Sequence, residues 1–178
     1  QNYTLILFIY FINKIDINHN GLFLYGLAGT LALIRKMIFT LIILEITIFS
    51  ILSGIHWNWV FGGNWGFENA IPTNLEGNKI FNPKKIESSL VAIGLLVFAT
   101  YYFLISDLIS FKFPNWISLY VGWVVSFIFI LRSIGDFKYF GFFKTIKTSN
   151  FGKMDSKLFS PLCVIIGLIG IIIELNKW

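Results

Sequence analysis

Apolar positions in this chain come in long unbroken runs rather than in the alternating stripes of a water-soluble fold. Residues 37–55 hold one formal charge, Glu45, and similar runs follow at about 89–106, 116–134 and 158–173. A bilayer core of about 30 Å asks for about 20 mainly apolar residues per helix. The pattern therefore predicts an all-α fold: an integral membrane bundle of four transmembrane helices, with two long loops on one face. The first predicted span closes at Gly54, and a loop of about thirty residues rich in Trp, Asn, Gly and Pro follows it. The second span ends before Asp107, and a short connection through Pro114 leads to the third, which opens on Trp116. Residues 135–157 form the second long loop. Pro161 falls in the first turn of the last span, where its missing N–H is harmless.

The first 36 residues read differently. Residues 3–12 and 21–34 are apolar but short for a span, and Lys14, Asp16, His19 and Asn20 interrupt them. Only Arg35 and Lys36 separate the second stretch from the first strong run, too few for a turn between two spans. Residues 1–36 are therefore expected to be an apolar or interfacial extension, tilted or continuous with the first span. The four-helix domain is expected to start at Met37 and run to residue 178. The N-terminus lacks a basic segment and a small-residue cleavage pattern, so it does not read as a signal peptide.

Composition supports the membrane reading. Of 178 residues, 56% are hydrophobic, 19% aromatic and 13% charged, with 20 Phe and a mean hydropathy of +0.76. Soluble domains carry about 25% charged residues. The net charge of +5 sits in loops, which suits contact with anionic lipid headgroups and gives no basic stripe for nucleic acid. Nine basic residues lie in or beside the long loops, against four (Arg35, Lys36, Lys112 and Lys177) on the other side. That asymmetry favours a multi-pass membrane protein with cytoplasmic long loops. Cys163 is the single cysteine, so no internal disulfide or CxxC redox pair exists, and it reads as a small buried hydrophobe.

Chemistry-bearing residues concentrate at the ends of spans one and three. The first segment runs from Gly54 through His56, Trp57, Asn58, Trp59, Gly62, Gly63, Asn64 and Trp65 to Gly66. The second runs from Arg132 through Gly135, Asp136, Lys138 and Gly141 to Lys144. Together with Ala70-Ile71-Pro72 and the stretch from Asp155 to Leu162, they carry the pattern HxxWxxGGxWG, RxIGDFKxxGFFK and DxxxxSPL. Over about residues 37–175 the chain resembles the bacterial membrane-protein family called domain of unknown function 3995. Asn58 departs from the usual run of aromatics around His56. The resemblance implies a four-helix integral membrane protein and no particular reaction.

His56 could handle protons or bind a ligand, or it could be an interfacial His bonded to a carbonyl. No second His or thiolate is placed to complete a metal site. Arg132 and Asp136 are spaced i,i+4, so a continuing helix would let them pair. They then either clasp span three to its loop, or hold an anionic headgroup and orient His56. Glu45, about halfway along the first span, must be neutral, paired or facing a cavity. Its bland reading is a protonated carboxyl bonded to Thr100, Tyr101 or Ser126. Glu174 is expected to snorkel beside Lys177. The six Trp suit an interfacial belt, although three within nine residues (Trp57, Trp59 and Trp65) are dense enough to stack a flat ligand. Gly167 and Gly170 suit close helix contact.

Candidate catalytic residues are therefore His56, Asp136 and Arg132. Candidate ligand-binding residues are Glu45, His56, Trp57, Trp59, Asn64, Trp65, Arg132 and Asp136, with no metal site. No P-loop, GxSxG, HExxH or GxGxxG motif is present. The expected function is a non-catalytic lipid- or small-ligand-binding module, or an accessory subunit of a membrane complex. The alternative is an intramembrane enzyme acting on a lipid-like or isoprenoid substrate through His56, Asp136 and Arg132; a small transporter ranks last. No cofactor is expected. The expected partners are membrane lipids and other subunits of a larger membrane complex, with no nucleic acid.

Overall fold

The computed structural model describes residues 20–74, 78–81, 83–106 and 108–177. The readings made for residues 3–12, Asp107 and Trp178 fall outside them. Four long helices dominate: α1 (Asn20–Val60), α3 (Lys85–Leu104), α4 (Asn115–Ile134) and α6 (Ser160–Asn176). Two short helices, α2 (Phe67–Ala70) and α5 (Asn150–Met154), lie in the long loops, and a π turn (Asp155–Phe159) joins α5 to α6 without a break. Among the described residues there is no strand, only an isolated bridge between Thr73 and Lys79. Among the described residues, four helical stretches are long and apolar enough to cross a membrane: Gly26–Val60, Lys85–Leu104, Asn115–Ile134 and Asn150–Asn176.

Each long helix buries one narrow stripe and leaves large apolar residues outside. On α1 the buried positions are Ile42, Glu45, Phe49 and Ser53, spaced three or four apart. On α3 they include Ser88, Ala92, Leu95, Ala99 and Tyr102, while Leu90, Val97 and Phe103 face outward. Apolar residues all around a helix are what lipid solvates. The core joins Phe49 to Tyr102 in a stacked pair at 5.8 Å and to Phe129 at 5.3 Å. α1 packs chiefly on α3 and α4 chiefly on α6, with α1 also touching α6. Glycines set the second contact: Gly167 of α6 lies against Ile130, and Gly170 lies against the Ser126 hydroxyl.

The first helix passes through position 37 unbroken, so residues 20–36 are an upstream extension continuous with the first span, and from position 26 to 37 nearly all of it is exposed. Two boundaries differ from the sequence reading. The same helix also continues past Gly54 to Val60, which places His56, Trp57 and Trp59 on a helix rather than in a loop. A helical glycine costs about 1 kcal/mol relative to alanine. Packing outweighs it here, because Ser53 donates to the Ala92 carbonyl at 2.8 Å and ties this turn to α3. Finally, the last helical stretch begins ten residues before Ser160, at Asn150. Ser149 caps it, its hydroxyl accepting from the Gly152 N–H at 3.0 Å. Pro161 cannot donate to an α-type partner, and the π turn directly before it accommodates that gap.

Candidate functional site

The end of the bundle that carries both long loops is organised by one carboxylate, Asp155. Its Oδ1 accepts from Arg132 Nη2 at 2.9 Å. Its Oδ2 accepts from Lys144 Nζ at 2.9 Å, from the Gly141 N–H at 2.8 Å and from the Ser160 hydroxyl at 3.0 Å. The Lys144 ammonium also donates to the Gly141 carbonyl and the Ser156 hydroxyl, and neither Lys144 nor Asp155 exposes its side chain. The π turn makes this possible. In an α-helix, residues five apart point about 140° away from each other. The wider turn brings Ser160 under the Asp155 carboxylate.

The expected Arg132–Asp136 pair does not form. α4 ends at Ile134, and Gly135 turns the chain with φ +88°, so the two residues no longer share a helical face. Asp136 folds back on its own loop instead, where Oδ1 accepts from the N–H groups of Lys138, Tyr139 and Phe140 at 3.0, 2.7 and 3.0 Å. Slight burial pulls this carboxyl up, but the three backbone donors outweigh it and hold it below its ordinary value. Gly135 and Gly141 meet where the loop closes: a Cβ on Gly135 would strike the Phe140 carbonyl, and one on Gly141 the Ile134 carbonyl. The Phe142 N–H donates to the Ser133 carbonyl at 2.8 Å across the same junction. Arg132 lies over the Phe140 ring at 4.8 Å, and its buried Nη1 has no hydrogen-bond partner among the described residues.

His56 is held on its own helix. Its Nδ1 lies 2.8 Å from the Leu52 carbonyl, and its ring packs on Trp59 at 4.6 Å. Trp59 donates from Nε1 to the Trp65 carbonyl at 2.7 Å and meets Phe67 edge-on, while Trp57 stacks on Phe61. These aromatics pin the loop that turns through Gly62 and Gly66, both at positive φ. The Trp65 side chain and Asn64 stay exposed. α2 of the first loop packs on α5 of the second. Between the loops lies a half-open cleft of about 470 Å³ lined by Glu68, Thr73, Asn74, Lys79, Thr148, Ser149 and Asn150.

Deeper in the bundle, Glu45 is fully buried and neither carboxyl oxygen has a hydrogen-bond partner among the described residues. The neighbours proposed for it from sequence are engaged elsewhere: Thr100 with the Leu96 carbonyl, Tyr101 with Glu174, and Ser126 with the Gly122 carbonyl. Glu174 does not snorkel. It is buried, and Lys177 reaches inward to it at 3.3 Å while also donating to the Tyr101 hydroxyl at 2.9 Å. Gly122 makes room for the Glu174 carboxyl. No group of three or more His, Cys, Asp or Glu that could hold a metal occurs among the described residues.

Sequence reasoning singled out Arg132 but not its partners. Asp155, Lys144 and Ser160 all lie within the motifs, and an acidic residue five before a Ser-Pro at the mouth of an apolar run was the available signal. Comparison with curated proteins and with solved structures finds no match. Residues 49–170 match the family described as "Protein of unknown function (DUF3995)", and this multi-pass membrane chain belongs to that family.

Proposed function

We propose that the protein is a non-catalytic membrane module that binds a lipid or lipid-like amphiphile by its polar head. The observation carrying this reading is the cleft between the two long loops. It offers hydroxyls, amides, one carboxylate (Glu68) and one ammonium (Lys79), a set that suits a zwitterionic headgroup. The apolar outer faces of the helices would lie beside the acyl chains. The surplus of basic residues on the loops supports placing this end in the cytoplasm, in a bacterial inner membrane. The enzyme alternative draws no support from the geometry, because His56 and Asp136 are each spent on local backbone groups. The accessory-subunit alternative would use the exposed stretch of α1 from position 26 to 37, along which a partner helix could lie.

Native mass spectrometry of the delipidated protein offered equal amounts of zwitterionic and anionic lipid tests the reading. Retention of the zwitterionic lipid, weakened by Glu68→Ala and by Lys79→Ala, is the expected result. Equal retention of both lipids, unchanged in the two variants, would overturn it.

A further inference from the structure

The charges around Asp155 do not balance. Arg132 and Lys144 both pair with this one carboxylate, and among the described residues neither meets another acid. Two cations against one anion leave one positive charge at the cluster. Asp136, the acidic residue nearest to Arg132 in sequence, is spent on three backbone N–H groups. Charges held out of bulk water are ordinarily compensated by a counter-charge.

The surplus lies on Arg132. Lys144 is fully covered, and its ammonium already donates to the Gly141 carbonyl, Asp155 and the Ser156 hydroxyl. A guanidinium carries five N–H donors, yet among the described residues Arg132 donates only from Nη2, to Asp155. Nη1 is left without an acceptor. Asp155 grips one end of the guanidinium and the Phe140 ring covers it at 4.8 Å, which holds it in place. The side chain is nonetheless 32% exposed, so an anion can approach it from outside the bundle.

The depth of Arg132 narrows the choice of anion. α4 runs for 20 residues, and a rise of about 1.5 Å per residue makes it as long as a hydrocarbon core of about 30 Å. Arg132 lies in its last turn, at headgroup level on the end that bears the long loops. Counting back in steps of four, Ile128, Val124 and Tyr120 follow on the same row of the helix, and all three are exposed. A guanidinium at headgroup level over an exposed apolar row matches a phosphate over an acyl chain. A zwitterionic headgroup brings its own ammonium, whereas an anionic one supplies the missing negative charge alone.

We propose that Arg132 holds the phosphate of an anionic phospholipid, with an acyl chain lying along Ile128, Val124 and Tyr120 of α4. The lipid oxygens accept from the guanidinium donors that Asp155 leaves over, and the lipid charge neutralises the cluster. Glu68 and Lys79 of the cleft take no part, so this site and the zwitterionic headgroup site stand or fall separately.

Native mass spectrometry of the delipidated full chain with phosphatidylglycerol as the probe tests the site. Wild type is expected to retain one phosphatidylglycerol, and Arg132→Gln to retain it several-fold less. Lys153→Gln removes the same charge from an exposed position at this end of the bundle, and it should retain the lipid like wild type. Weak retention by wild type, or equal retention by wild type and Arg132→Gln, would overturn the site and leave the cleft reading untouched. An equal loss in Lys153→Gln would reduce it to general attraction between opposite charges. Inorganic phosphate at the same concentration as the lipid should not displace it; displacement would mark a free-phosphate site and overturn the lipid assignment. Should Arg132→Gln fail to fold, photo-crosslinking of wild type with a diazirine-bearing phosphatidylglycerol decides. Adducts between residues 120 and 143 support the site, and adducts only elsewhere overturn it.

Discussion

Lys144 and Asp155 form an ion pair at 2.9 Å in which neither side chain reaches solvent. The pair ties the second long loop to the start of the last membrane-crossing helix. Arg132 adds a bond from the end of α4, so a single carboxylate joins three segments. Removing one member of a buried pair leaves the other charge uncompensated, at about 3–5 kcal/mol. Asp155→Ala should therefore lower thermal stability in detergent by about that amount. Arg132→Ala should cost clearly less, because its side chain is 32% exposed. Equal melting temperatures for wild type and Asp155→Ala would show that the cluster is not holding the loops.

Asp136 gives a pH signature of its own. Its folded value lies below the ordinary 3.8, so its contribution is fully present above that value and is lost as pH falls through the folded one. Asp136→Asn should lose stability near neutral pH, by no more than about 1 kcal/mol as for an exposed cap. It should also show a weaker acid-induced drop below about pH 4 than wild type. Parallel stability–pH curves for the two proteins would refute this role.

Glycine substitutions should differ in sign. Gly141 has φ +88°, and a Cβ there meets the Ile134 carbonyl, so Gly141→Ala is expected to destabilise by more than about 1 kcal/mol. Gly54 lies within α1, and an added methyl would meet nothing within 4 Å, so Gly54→Ala should stabilise by about 0.5–1 kcal/mol. Thermal unfolding of the two variants side by side checks both directions.

The two long loops should be reached from one side of the membrane, since two spans lie between them and α2 and α5 are in contact. Single cysteines at Asn78 and Ser149, in a Cys163→Ser background, should both react with an impermeant maleimide only from the cytoplasmic side. Reaction of both from outside would reverse the orientation, and reaction from opposite sides would rule out four spans.

Residues 1–36 should be dispensable for the bundle. From Ile38 to Val60 the first helix still offers 23 residues, enough for one span, and the stretch from 26 to 37 contributes little burial. A chain starting at Met37 should remain monodisperse by size-exclusion chromatography in detergent. Aggregation of that chain would assign the upstream turns of α1 a packing role.

The four spans were legible because hydrophobic length is a local property: about twenty apolar residues cross a bilayer whatever their neighbours are. The place of Pro161 in the first turn of α6 likewise followed from chemistry carried by a single residue, and the motifs containing Arg132, Lys144 and Asp155 were visible as strings. Which of those charges pair was decided only in three dimensions. The i,i+4 spacing of Arg132 and Asp136 implied a pair on the assumption that α4 continues, and the positive φ at Gly135 ends it. The helix also outlasted Gly54 because tertiary packing on α3 outweighs a single unfavourable propensity. The isolation of Glu45 is of the same kind. Thr100, Tyr101 and Ser126 were suitable partners by residue type, but helix rotation and the room left by Gly122 and Gly170 committed Tyr101 and Ser126 to Glu174 and Gly122, while Thr100 bonded back to its own helix. Local chemistry determined the spans; the rotation and register of packed helices, which no short window of sequence encodes, determined the polar contacts between them.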